Sequence, residues 1–116
     1  MEEIIDKLIK LIDEKKGEDI FVVDVDETSN FAKYIFVVTV NSLVHSKSLG
    51  KHIVDFFIEN DLKKFLYNKH IETSNPWVLI DGGNIIVHLF MSDTREYYGL
   101  EKLYFKGSVV YPKQKP

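Results

Sequence analysis

Along this chain the spacing of apolar residues switches between a helical three-and-four rhythm and nearly unbroken runs, and each switch marks an element. Ile4, Ile5, Leu8, Ile9, Leu11 and Ile12 recur at helical spacing, which predicts an amphipathic helix with one buried face. Lys15 and Lys16 suit its negative end, and Gly17 is expected to close it in the left-handed conformation. The β-branched run Ile20-Phe21-Val22-Val23-Asp24-Val25 predicts a strand buried on both faces, followed by a polar connection from Asp26 to Asn30. Tyr34-Ile35-Phe36-Val37-Val38-Thr39-Val40 predicts a second strand of the same kind.

Asn41 or Ser42 can cap a following helix by accepting a bond from a free N–H of its first turn. Leu49, Ile53, Phe56 and Phe57 form the inward stripe of that helix. Lys47, Lys51, Asp55 and Glu59 face outward, and Asn60-Asp61 ends it. A brief strand over Leu62 to Tyr67 and a turn at Thr73-Ser74-Asn75-Pro76 come next. Segments 77–81 and 84–91 then read as a hairpin around Asp81-Gly82-Gly83-Asn84, burying Ile85, Val87 and Leu89 on one side and presenting His88 on the other. Ser92 is expected to cap a short helix over 93–98 that Gly99 closes, and Leu100 to Phe105 forms a last helical or irregular segment. Residues 108–116 lack an apolar period and are expected to be a mobile tail behind a domain of residues 1–107. Helix, two strands, a crossover helix, a hairpin and a helix together predict a single α/β domain with a mixed β-sheet flanked by helices.

Composition narrows the function. The 116 residues suffice for one core, and no apolar run approaches the roughly 20 residues of a membrane span. The acidic, amphipathic start is unlike a secretory signal. With no cysteine there is no disulfide and no thiolate metal site, which fits a cytoplasmic protein. All eighteen carboxylates precede residue 102, whereas Lys106, Lys113 and Lys115 lie after residue 105. Residues 1–105 thus carry twelve basic and eighteen acidic groups, and such an acidic body suits a basic protein partner better than a phosphate backbone.

No catalytic constellation emerges. Asp24 and Asp26 share one face of a strand, as a Mg²⁺-dependent nucleotidyltransferase would require. The segment upstream, Gly17-Glu18-Asp19, would repel a triphosphate, so a structural role is the simpler expectation. His45 and His52 stand about two helical turns, ~10 Å, apart, too far to share one ion, and His70 and His88 complete no metal-ligand spacing. Neither metal nor cofactor is expected. Ser42, Ser46 and His45 lack a nucleophile elbow, and Gly82-Gly83 precedes a strand, unlike a dinucleotide loop. Trp77, Arg95, Tyr97, Tyr98, Glu101, Lys102 and Tyr104 are instead types that anchor protein interfaces, or else a second core layer.

One stretch carries a resemblance. Trp77-Val78-Leu79-Ile80-Asp81, Gly83-Asn84-Ile85-Ile86-Val87-His88-Leu89-Phe90, Arg95, Tyr97-Tyr98, Leu100-Glu101 and Leu103 resemble the ribosomal silencing factor (Iojap-like) family. Tyr34 to Thr39 with Asn41, Ser42 and His45 resemble its second strand and helix start, and Asp19-Ile20 with Val23-Asp24-Val25 its first strand. The chain departs from the usual family pattern at several positions. Lys33 stands for an acidic residue, Val40 for a small one and Val44 for arginine. Gly82 stands for an aromatic or aliphatic residue, Asn84 for aspartate and Tyr104 for tryptophan.

The resemblance implies a nucleotidyltransferase-like fold without the catalytic site, and a non-enzymatic factor. Such a factor binds a ribosomal protein on the intersubunit face of the large ribosomal subunit and sterically blocks association with the small subunit, repressing translation. Some members are homodimers off the ribosome. In this chain the expected partner-binding residues are Trp77, Asp81, His88, Arg95, Tyr98 and Glu101. Trp77 and Tyr98 would be apolar anchors, Asp81 and Glu101 would meet basic groups, and Arg95 would fix the helix to the hairpin or to the partner. Neither a membrane nor a specific nucleic-acid sequence is an expected target. The alternatives are a large-subunit assembly factor and a Mg²⁺-dependent nucleotidyltransferase using Asp24 and Asp26.

Overall fold

The computed structural model describes residues 2–25, 33–61, 77–99 and 107–112. Asp26 and its connection, the strand and turn expected within 62–76, the segment 100–106 with Glu101, and residues 113–116 lie outside the described residues. The chain runs α1 (Glu2–Glu14), β1 (Glu18–Asp24), β2 (Tyr34–Val40), α2 (Leu43–Glu59), β3 (Trp77–Asp81), β4 (Ile85–Met91), α3 (Ser92–Tyr98) and β5 (Ser108–Tyr111). Five strands form one sheet in the order β3-β4-β2-β1-β5. Strands β2 and β4 are parallel neighbours and every other pair is antiparallel, so the sheet is mixed. The crossover through α2 makes the parallel pair possible.

Strand alternation assigns the two faces. Ile5, Leu8 and Ile12 of α1 and Leu49, Ile53 and Phe57 of α2 pack with Val22, Phe36, Val38, Ile80, Val87 and Leu89 into the main core. The opposite face holds a smaller cluster of Val23, Val25, Ile35, Val37 and Phe90, with Phe21, Trp77 and Ile86 against it. Both long helices thus lie on one side, and among the described residues α3 lies on the other.

Local chemistry sets the element ends, in three places differently from the sequence expectation. Ser42 caps α2, its hydroxyl accepting the His45 N–H at 3.0 Å. At the end of α1, Lys16 (φ 71°) and not Gly17 takes the left-handed conformation. Gly17 is needed for space, because a Cβ there would collide with the side chains of Ile12 and Val38. Ser92 is the first residue of α3, not its cap; Met91 holds the cap position with no side-chain bond. Gly99 does close that helix, at φ 55°. The expected tail is also different over its first part, since Ser108–Tyr111 form edge strand β5 against β1. Four residues, three of them half-buried, are too few for a sequence period, and the edge of β1 supplies the template that decides them.

The hairpin explains one departure from the family pattern. The Gly82 N–H donates to the Ile85 carbonyl at 2.8 Å, and Gly83 takes φ 85°, as a tight two-residue turn demands. Gly82 itself has no such constraint. A Cβ on it would sit 2.8 Å from the fully buried ring of Phe57, so that ring occupies the volume of a larger side chain. Gly82→Leu is therefore expected to cost about 1–3 kcal/mol through overpacking. Phe57→Ala should relieve it, and the double variant should be more stable than the two single losses combined predict, by about 1 kcal/mol or more. Urea unfolding of the four proteins checks this; additive losses would refute the shared-volume explanation.

Candidate functional site

The face opposite the long helices is built from β3, β4 and α3. Antiparallel register sets Trp77 beside Phe90, Leu79 beside His88 and Asp81 beside Ile86. Because alternate residues share a side, these six point away from the main core. Helix α3 follows β4 directly and carries Tyr97 and Tyr98 over this surface.

Rings rise from the sheet to solvent in a continuous series. His88 stacks on Phe90 at 6.0 Å between centroids and 16° between planes. Trp77 covers both, at 5.8 Å from His88 and 4.9 Å from Phe90. Tyr98 lies 4.6 Å from Trp77, and Tyr97 meets Tyr98 edge-on at 5.1 Å. Exposure follows the same order: Phe90 is fully buried and His88 5% exposed, whereas Tyr98 reaches 48% and Tyr97 83%. Leu79 is a further exposed apolar group on this side. Each such ring pair is worth about 0.5–1.5 kcal/mol beyond its buried area, so the inner rings form a firm base for the outer two.

His88 belongs to that base, being 5% exposed. The Trp77 indole N–H donates to Nδ1 of His88 at 3.1 Å, which leaves the imidazole proton on Nε2. Burial lowers the His88 pKa from 6.5 to about 4, so the ring is neutral at physiological pH. Asp81 is likewise occupied within the fold, its Oδ1 accepting the Gly83 N–H at 2.8 Å across the turn. Arg95 is half-buried and reaches the two strands beside α3. Its Nη1 donates to the Asp19 carbonyl at 2.6 Å and to the Thr39 hydroxyl at 2.9 Å, tying α3 to β1 and β2.

Carboxylates among the described residues border the outer rings. Asp93 and Glu96 on α3 are exposed, as are Glu18 and Asp19 at the start of β1, which Arg95 links to the helix. Asp93, Thr94, Tyr97 and Tyr98 line an open surface depression, suited to a protruding group of a larger partner and not to an enclosed small molecule. Sequence reading grouped Tyr97 with Tyr98 as interface types but kept only Tyr98 in the partner-binding set, and it did not single out Leu79 or Thr39. A signal existed for Tyr97: two adjacent tyrosines on a seven-residue helix cannot both face the sheet.

Among the positions considered for other chemistry, Asp24 and His45 have partners within the fold. Asp24 pairs with Lys33 at 3.6 Å, with both side chains about one-third exposed, so the basic residue at 33 meets an acid on the neighbouring strand. His45 accepts the Asn41 N–H on Nδ1 at 3.1 Å and lies 2.8 Å through Nε2 from the Lys15 carbonyl, joining the end of α1 to the start of α2. Among the described residues no group of three or more His, Cys, Asp or Glu could hold a metal ion, and no helix is long and apolar enough to cross a membrane. Val44, where the family pattern has arginine, is 72% exposed and uncharged.

Comparison with known proteins gives a consistent result. Residues 1–116 match the family described as ribosomal silencing factor during starvation. A ribosomal silencing factor of Bacillus subtilis is 35% identical over 92 residues, covering 79% of this chain and 76% of that one. The mouse mitochondrial assembly of ribosomal large subunit protein 1 is 27% identical over 101 residues, covering 86% of this chain and 44% of the mouse protein. A Chromobacterium violaceum crystal structure superposes with a TM-score of 0.81 at 26% identity, over 100% of this chain and 89% of that one. A Bacillus halodurans crystal structure gives 0.76 at 27% identity, over 95% and 98%.

Proposed function

We propose that this chain, which belongs to the ribosomal silencing factor family, represses translation by binding the large ribosomal subunit and excluding the small subunit from it. The observation that carries the reading is the ring series ending in exposed Tyr98 and Tyr97 beside Asp93 and Glu96. Exposed aromatics on a rigid base supply apolar contact at low entropic cost, and carboxylates favour a basic ribosomal protein as the docking partner. Tyr97, Tyr98 and Leu79 make the contact. Trp77, His88 and Asp81 support it from behind. No bond is made or broken: the protein acts in the cytoplasm as a wedge whose bulk covers the joining surface.

A second reading, a large-subunit assembly factor, is favoured by the name of the mouse relative. The two differ in the particle occupied. Gradient sedimentation of a lysate containing tagged protein is expected to place it with mature large subunits and not with joined ribosomes. Recovery only with precursor particles would transfer the function to assembly, and recovery free at the top of the gradient would refute both.

A further inference from the structure

The geometry points to Arg95 as a positioning residue that holds the docking helix in place through Thr39 and the backbone of Asp19, an inference that rests on the docking role proposed above. Helix α3 has seven residues, none of them buried, and no side-chain cap at its start. A helix this short does not persist by its own hydrogen bonds, because the cost of nucleation exceeds the gain from two turns. Its pose therefore depends on what ties it to the sheet. Among the described residues, the Tyr98 ring ties it to Trp77 and Phe90. Arg95 ties it further, its single Nη1 amino group donating to two acceptors on two different strands.

Both acceptors are placed for this. Between Glu18 and Phe21 the β1–β2 register slips, and Asp19 sits within that irregularity at φ 47°. A bulge re-aims backbone groups away from the regular ladder, and the Asp19 carbonyl is the group that Arg95 takes. Thr39 is the one polar residue in β2, which is otherwise apolar apart from the Tyr34 hydroxyl, and it is 6% exposed beneath α3. A buried hydroxyl there is stabilised by receiving the guanidinium N–H. Arg95 thus connects the start of β1, the end of β2 and the outer tyrosines.

Arg95→Met keeps the aliphatic stem and removes both hydrogen bonds, and Thr39→Val removes one acceptor at nearly constant volume. Amide hydrogen exchange of Glu96 to Gly99 and the near-ultraviolet dichroism of Trp77 report the pose of α3 without any partner. Binding to purified large subunits reports its consequence. For Arg95→Met, exchange at these amides is expected to accelerate at least about tenfold, with a weaker Trp77 band and subunit affinity lowered about tenfold or more. Thr39→Val should show smaller changes in the same direction, about threefold, and global unfolding should move little in either variant.

Unchanged exchange in Arg95→Met would overturn the inference, as would accelerated exchange with unchanged affinity. Lost affinity with unchanged exchange would make Arg95 a direct contact and also overturn it. If the unaltered protein itself fails to bind large subunits, the docking role falls, and Arg95 loses its positioning task whatever the exchange data show about the helix.

Discussion

Replacing Tyr97 by alanine is expected to weaken binding to the large ribosomal subunit by at least about tenfold while leaving the unfolding midpoint nearly unchanged. The ring is 83% exposed and meets the fold through the edge of Tyr98, so truncation opens no cavity. Any large effect must then come from the partner. Aromatic anchors at the centre of an interface commonly contribute 2 kcal/mol or more, and about 1.4 kcal/mol corresponds to a factor of ten. Trp77→Ala is the instructive contrast. It would remove a half-buried ring from contact with His88, Phe90 and Tyr98, so lost stability and lost binding would be confounded. Sedimentation binding with purified subunits, alongside urea unfolding, checks the Tyr97 variant. An affinity equal to the unaltered protein's would remove α3 from the docking face.

Acid should destabilise the fold through His88, by about 3 kcal/mol between neutral pH and pH 4. The folded-state pKa is lowered from 6.5 to about 4 by burial. Between those values the unfolded chain binds the proton more readily than the folded one, so stability is full above 6.5 and falls as pH drops through the window. Below about 4 both states are protonated, and this contribution stops changing. His88→Gln retains an acceptor for the Trp77 indole and cannot titrate. Its urea midpoint is expected to be lower at neutral pH, because Gln replaces a stacked ring, yet to lose most of the dependence seen between pH 7 and pH 4. A variant that follows the original profile would assign the acid sensitivity elsewhere.

The sheet was legible because its determinants are local. Unbroken β-branched runs mark β1 and β2, and alternation in β4 separates Leu89 from His88 onto opposite faces. The expected burial of Ile85, Val87 and Leu89 follows from that alternation alone. Features that depend on a distant partner were not readable. Strand β5 exists because β1 offers an edge, and Gly82 is tolerated because Phe57, from another element, fills its space. Gly17 was identified as special for the wrong physical reason, since what it supplies is room for Ile12 and Val38.

The candidate site divides in the same way. Trp77, His88 and Tyr98 do come together, because hairpin register and a helix directly after β4 leave them no other arrangement. Their roles needed three dimensions. Asp81 bonds within its own turn and Arg95 bonds to two strands far away in sequence, internal partners that residue type alone could not name. Composition could count an acidic excess but could not show that Asp93 and Glu96 border the exposed tyrosines.

Subunit joining in vitro tests the central claim most directly. Purified small and large subunits are mixed under conditions that favour association, with and without saturating protein, and the joined fraction is measured by light scattering. The account predicts that the protein keeps the subunits apart and that Tyr97→Ala at the same concentration does so much less. Normal joining with the protein bound to the large subunit would contradict the wedge.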